Sequence, residues 1–323
     1  MELILTDVNG LDLRRLDYVS ADFDIGNEND FEIIVSADDW RDDVQFGARL
    51  YVPNTEYGGI IGELETNTQE NVVYIRGYTW RGLLERKIIV PPSGSAYKTV
   101  SGDLTANLQD IINGAFDDVI RADDTPTGVI LKYSFDRYTD MLSGLTKMLL
   151  QKNHKLKFEY IQKEMGTAGY VKASAVPVVD YSDKIELSQD SRVDFTMRLK
   201  KNVVNHLIVL GDGELTDRIV LHLYLQQDGS IGKTQCFFGI DETAQVYEYS
   251  GSEDLENDGI EYFKELIETT SLAMDISRLD IDVSVGDIVG GRDYITGITA
   301  KKPLSAIIVT DNGNLSIEYQ LAE

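Results

Sequence analysis

The sequence predicts a mainly β protein with an α+β insertion: two small β-barrel-like domains, an α/β insert between them and a late helix. Three observations predict it. Short apolar segments of about five residues, rich in Ile, Val and Tyr, recur between turn residues in the first 90 positions and again after residue 170. Two stretches between them switch to helical spacing. The length, 323 residues, exceeds what one core organises well.

The elements follow in order. Leu3, Ile4 and Leu5 precede Asn9-Gly10, a dipeptide that accepts the positive φ angles of a tight hairpin, and Leu11 and Leu13 alternate after it. Strands are expected at Phe31–Val35, Ala48–Val52, Gly59–Glu65 and Val72–Gly77. Such short, regularly spaced strands suit a small barrel or sandwich. Trp80–Leu84 fits a helical turn, and Pro91-Pro92-Ser93-Gly94 breaks regular structure. Beyond that break, Leu104, Leu108, Ile111, Ile112, Ala115, Phe116, Val119 and Ile120 line one face of a helix, with Asp103 as its cap. A second helix is expected over Asp140–Lys152, capped by Thr139, with Met141, Leu142, Leu145, Met148 and Leu149 on its apolar side. A strand at Leu156–Ile161 completes the α/β unit.

Strand patterns return over Tyr170–Asp180 and over Arg218–Leu225, where Ile219, Leu221, Leu223 and Leu225 share a face and Asp228-Gly229 marks a turn. The acidic stretch Ser252–Asp258 leads into a helix carrying Ile260, Phe263, Ile267 and Thr270 on one side. Ile281–Tyr319 reads as strand and turn, punctuated by Gly286-Asp287, Gly290-Gly291 and Asn312-Gly313. The expected domains are 1–95 with 170–203, 96–169, and 204–323 with a helical insertion near 253–273.

Composition narrows function. Hydrophobic residues make up 42% and charged residues 26%, which belongs to a folding chain. The formal charge of −25, from 55 acids against 30 bases, argues against attractive binding to nucleic acid, because affinity for phosphate comes from Lys and Arg that displace counterions. An acidic wall past which DNA slides without adhering is compatible with that charge, and so is an acidic surface kept for solubility. With Cys236 the single cysteine, there is neither an intrachain disulfide nor a cysteine-based zinc site; beside Phe237 and Phe238 it is expected to be buried and inert. Neither a signal peptide nor an uncharged apolar run near 20 residues is evident, so no membrane-spanning segment is expected and synthesis and assembly are expected in the cytoplasm.

Few groups point to chemistry, and no catalytic, cofactor or metal residue is assigned. His154, His206 and His222 lack the paired spacing of a metal site, and a surface or cross-strand role is expected for His222. Gly211-Asp212-Gly213 runs on into another strand and reads as a hairpin turn, not a phosphate-binding loop; Gly286 to Gly291 lacks the Lys and hydroxyl of such a loop. Asp38-Asp39-Trp40-Arg41-Asp42-Asp43 combines acids with an aromatic residue able to stack on sugar, and reads first as a solvated turn. Asp22, Asp24, Asn27, Glu28, Asn29 and Asp30 offer oxygen ligands of the kind calcium takes but lack the loop glycine and flanking helices of an EF-hand.

One stretch is more specific. Gly58-Gly59-Ile60-Ile61-Gly62-Glu63, then Ile75-Arg76-Gly77-Tyr78-Thr79-Trp80-Arg81-Gly82-Leu83-Leu84-Glu85-Arg86-Lys87-Ile88-Ile89 and Pro91-Pro92, resembles the first barrel of siphophage and prophage tail hub proteins, the structural module of the tail-associated lysin family. Val203-Val204-Asn205-His206-Leu207-Ile208-Val209-Leu210-Gly211 and Val285-Gly286-Asp287-Ile288-Val289-Gly290-Gly291-Arg292 resemble its second half. The resemblance implies a baseplate hub: a homotrimer whose two barrels per subunit close a pseudo-sixfold ring, contacting the tail tube, the distal tail protein and tape-measure or tip proteins. It implies location at the virion tail tip and passage of DNA without specific binding. It carries over no catalytic residue, and with the sequence ending at Glu323 a lysin activity is expected to be absent or to belong to a separate protein. The 17 tyrosines suit a chain with large interfaces. The alternative is a wall-degrading or carbohydrate-binding tail-tip protein acting through acids such as Asp38, Asp39 and Glu63.

Overall fold

The computed structural model describes the chain except for residues 18, 165, 183–185, 188–193, 200–203, 228, 250–253, 268–269, 276–282, 293, 298 and 323. Turn chemistry starts the fold where expected. Gly10 takes φ +84° and the Asp7 carboxylate accepts the amides of Asn9 and Leu11, closing β1 (Leu3–Thr6) against β2 (Asp12–Leu16). β3 (Ser20–Ile25), β4 (Asp30–Ser36), β5 (Arg49–Tyr51), β6 (Gly58–Asn67) and β7 (Val72–Thr79) follow, and β7 runs into α1 (Trp80–Glu85).

The insertion comprises β8 (Thr99–Asp103), α2 (Leu104–Ile112), β9 (Ile120–Ala122), β10 (Ile130–Ser134), α3 (Met141–Leu150), β11 (His154–Ile161) and β12 (Tyr170–Pro177). Asp103 caps α2 by accepting the Thr105 amide. The expected single helix through Ile120 is not formed. It stops at Ile112, because Gly114 takes φ +82° and Asp117 and Asp118 are also left-handed, and Ile120 joins β9 instead. The cap of α3 is Asp140, whose carboxylate accepts the Ser143 amide at 2.8 Å, and not Thr139. The buried faces of both helices, Leu104, Leu108, Ile112, Met141, Leu145 and Leu149, pack with Leu156, Phe158, Tyr160, Val171 and Ala173 into one core that reaches Tyr51 and Trp80.

After β13 (Glu186–Leu187) and β14 (Asp194–Leu199), the chain forms β15 (His206–Leu210), β16 (Val220–Leu225), β17 (Ile231–Gly232), β18 (Ala244–Glu248) and α4 (Leu255–Leu266). Thr270 opens β19 (Thr270–Asp275) and does not extend α4. β20 (Ile288–Arg292), β21 (Thr299–Asp311) and β22 (Leu315–Leu321) finish the chain, the last two joined at Asn312-Gly313.

Two compact units result. The first holds Met1–Phe195, Met274–Arg292 and Lys301–Ala322, around a sheet of order β13-β20-β21-β3-β4-β7-β6-β5-β1-β2 with β22 on β21. Residues 301–321, read from sequence with the second module, thus pair into the sheet of the N-terminal strands, because β21 meets β3 antiparallel. Among the described residues the path is open, from β13 at one end to β2 at the other, so the expected barrel closure is absent. The second unit, Thr196–Ala273 with Asp293–Ala300, has the sheet β17-β16-β15-β18, with Leu207, Val209 and Leu223 buried together with Phe263 of α4.

Candidate functional site: an acidic row across the first sheet

Period-two alternation decides which side chains share a face of the first sheet. In Ala21-Asp22-Phe23 and Phe31-Glu32-Ile33 the apolar residues are buried, while Asp22 and Glu32 face the other way and are half-exposed. Strand register then sets Thr310, Asp22, Glu32, Arg76 and Glu63 side by side across β21, β3, β4, β7 and β6. Thr310 Oγ1 donates to Asp22 Oδ2 at 2.7 Å. Arg76 is the cation of the row, with Nε 2.6 Å from Glu32 Oε2 and Nη1 2.9 Å from Glu63 Oε1 and 2.5 Å from Glu65 Oε2. Its hydrogen bonds to Glu65 and Glu32 hold the guanidinium charged well above its ordinary range. One cation among Asp22, Glu32, Glu63 and Glu65 leaves the row acidic. At its margin, desolvation and then the charges of Asp24, Glu28 and Asp22 raise the Asp30 carboxyl above its ordinary value.

The opposite side is fastened to the insertion. Gly59 and Gly77, both in the stretch that carries the tail-hub resemblance, sit where a Cβ would lie 2.2 Å from the Tyr78 carbonyl oxygen and 1.9 Å from that of Ile60, so only glycine lets these strands approach. Tyr51 stacks on Tyr160 with centroids 3.7 Å apart, and buried Trp80 lies against the same ring. Arg81 forms a buried pair with Glu56 and donates to the Leu156 carbonyl. Buried Arg49 donates to the Gly169 carbonyl at 2.7 Å. Lys155 Nζ meets Asp287 Oδ2 at 2.5 Å; burial pushes this ammonium below its ordinary value while Asp287 pulls the other way. Asp287 also accepts the amides of Val179 and Ser284, which gives the glycine-rich stretch Gly286 to Gly291 a structural task.

The residues singled out from sequence are dispersed. Asp38 and Asp39 are exposed on a short turn, whereas Glu63 is paired to Arg76. Glu63 shares a register row with Glu32, and the turn begins beyond Ser36, four residues further along β4, roughly 13 Å at the strand rise. Within the Asp22 to Asp30 group, Asp24 and Asn29 close the turn, Asp24 accepting the amides of Asn27 and Glu28 and Asn29, at φ 56°, accepting that of Gly26, while Asp22 turns away to accept from Thr310. Among the described residues no group of three or more His, Cys, Asp or Glu is arranged to hold a metal ion. Asp212 and Gly213 lie in the β15–β16 connection, as a hairpin turn requires, and Asp228 falls outside the described residues. Cys236 is half-buried and donates to Gln226 Oε1, so the expected full burial is corrected; it lies in an irregular loop, outside any strand. His206 and His222, distant in sequence, meet with Nε2 2.8 Å from Nδ1 because β15 and β16 pair.

No family model matches the sequence and no curated protein does. Solved structures match along the whole chain. The 43 kDa tail protein of prophage MuSo2 from Shewanella oneidensis is 12% identical with a TM-score of 0.60, covering 100% of this chain and 98% of that one. The tail protein from Neisseria meningitidis MC58 is 14% identical with a TM-score of 0.54, covering 100% and 96%. Prophage tail protein gp18 from Listeria monocytogenes EGD-e is 11% identical with a TM-score of 0.51, covering 100% and 95%. The chain therefore has a phage tail protein fold. No helix among the described residues is long and apolar enough to cross a membrane.

Proposed function

We propose that this chain is a structural hub of a phage or prophage tail tip: a trimeric ring that joins the tail tube and distal tail protein to the tip components. Likeness of fold to prophage tail proteins over the full length of both chains carries this reading. The acidic row gives it physical content. Turned toward the ring's axis, Asp22, Glu32, Glu63 and Glu65 repel phosphate, and with one arginine among them they give passing DNA no chain of cations on which to adhere. Residues 96–169 form an insertion on the hub, and no residue is assigned a catalytic role. The site of action is the virion tail tip, after assembly in the host cytoplasm.

Light scattering of the purified chain across a concentration series tests the ring. The expected mass is three times that of the subunit. A mass that stays monomeric at every concentration, and also in mixtures with the tail tube and distal tail proteins, overturns the reading.

A further inference from the structure

The second unit holds a loop, residues 233–243 between β17 and β18, whose construction the hub reading leaves unused. Three polar side chains fix it. Buried Asn205 donates from Nδ2 to the Asp241 carbonyl at 2.6 Å and accepts the Thr243 amide at 2.9 Å. Buried His206 places Nδ1 2.7 Å from Glu242 Oε1 while its Nε2 meets His222. Half-buried Gln226 donates to the Thr234 carbonyl at 2.8 Å and accepts the Cys236 thiol at 3.1 Å. What this framework displays is apolar: Phe238 is 64% exposed and Ile240 is fully exposed, on either side of Gly239.

Single exposed apolar residues are ordinary on a protein surface. Two large ones on a short loop fixed by three polar side chains, Asn205 and His206 among them buried, are not, because the cost of ordering that loop is already met in the free chain. That is how an interface anchor is prepared, with a rigid aromatic and an aliphatic side chain ready to enter a pocket. The charge around it selects the partner. Residues 204–267 carry thirteen acids against three bases, and Asp241 is exposed next to Ile240. Nucleic acid, an anionic lipid surface and a second copy of the same loop would all be repelled, whereas a basic protein surface would be drawn in.

We propose that loop 233–243 docks a neighbouring tail protein by inserting Phe238 and Ile240 into an apolar pocket rimmed by Lys and Arg. The inference rests on the tail-hub reading for where that neighbour is found. The test uses the full chain carrying benzoylphenylalanine in place of Phe238, produced in cells that assemble complete tails. Presence of the chain in purified tails reads the hub assignment, and the photo-adduct reads the docking loop separately. The expected result is an adduct to a different tail protein through a Lys/Arg-rich peptide. Binding of that purified protein to the full chain should weaken roughly thirty-fold in Phe238→Ser/Ile240→Ser, with an unchanged melting temperature. Incorporation into tails without an adduct, an adduct to a second copy or to an acidic surface, or binding unaffected by the double substitution overturns the docking loop and leaves the hub standing. Absence of the chain from tails overturns both.

Discussion

Lys155 on β11 and Asp287 ahead of β20 form an ion pair whose side chains are only 7% and 3% exposed, 132 residues apart in the chain. The pair clamps the insertion to the returning C-terminal strands within the first unit, since the backbone beside it is bonded to β21: the Asp287 carbonyl accepts the Leu304 amide at 2.7 Å and the Gly286 amide donates to the Leu304 carbonyl at 2.8 Å. Asp287→Ala would strand a buried ammonium and free the amides of Val179 and Ser284 at once. We expect a loss of about 3–5 kcal/mol by urea denaturation, and a loss below about 1 kcal/mol would contradict the clamp.

Close strand approach at Gly77 makes a sharper steric prediction. Gly77→Ala places a Cβ against the Ile60 carbonyl, which belongs to the paired strand and cannot swing away. A loss of about 3 kcal/mol or more is expected, or failure to fold. Gly62→Ala, which meets nothing within 4 Å, should change stability by less than about 0.5 kcal/mol. Equal effects of the two substitutions would sink the argument.

Arg76 separates like charges on a partly exposed face. Arg76→Leu leaves Glu32, Glu63 and Glu65 facing one another, and the expected cost is about 1 kcal/mol at low ionic strength, discounted for exposure. Salt screens that repulsion, so the deficit should shrink in 0.5 M NaCl, a concentration at which the Debye length is only about 4 Å. A deficit that ignores salt would assign Arg76 a packing role instead.

Stability should pass through a maximum in mild acid. Asp30 and Glu85 are held above their ordinary 3.8 and 4.5, in both cases chiefly by desolvation, so the folded chain binds these protons more readily than the unfolded one. Their contribution grows as pH falls through the raised folded values. Asp7, Asp43 and Asp311 are held below 3.8, first by the Leu11 amide, by Arg14 and by the N-terminal ammonium; that stabilisation is complete above 3.8 and is lost as pH falls beneath it. Urea midpoints are therefore expected to rise as pH falls from neutral through the raised folded values of Asp30 and Glu85 and to fall below 3.8, with the rise reduced in Asp30→Asn. A steady decline from pH 7 downward would contradict this assignment.

Local signals made much of the fold legible. Asn9-Gly10 marked the first hairpin, and short segments rich in Ile, Val and Tyr marked β4 to β7, because turn residues and strand-forming side chains act over a few positions. β3 is not among the strands expected from sequence: its acids, Asp22 and Asp24, alternate with Ala21, Phe23 and Ile25, but from sequence this segment reads only as oxygen ligands that lack the glycine and helices of an EF-hand. The acidic row was illegible for a different reason. It needs Asp22 beside Thr310, a register 288 residues apart that no local period encodes. The end of α2 was overrun because Ala115, Phe116 and Val119 continue the apolar spacing; they still pack on the core, but from a loop that Gly114 turns.

Electron cryomicroscopy of intact tails that contain this chain tests the central claim most directly. Three copies closing a ring at the tail tip, with Asp22, Glu32 and Glu63 turned toward the channel, is the predicted result. A ring whose acidic rows face outward, or tails that lack the chain at their tip, would contradict it.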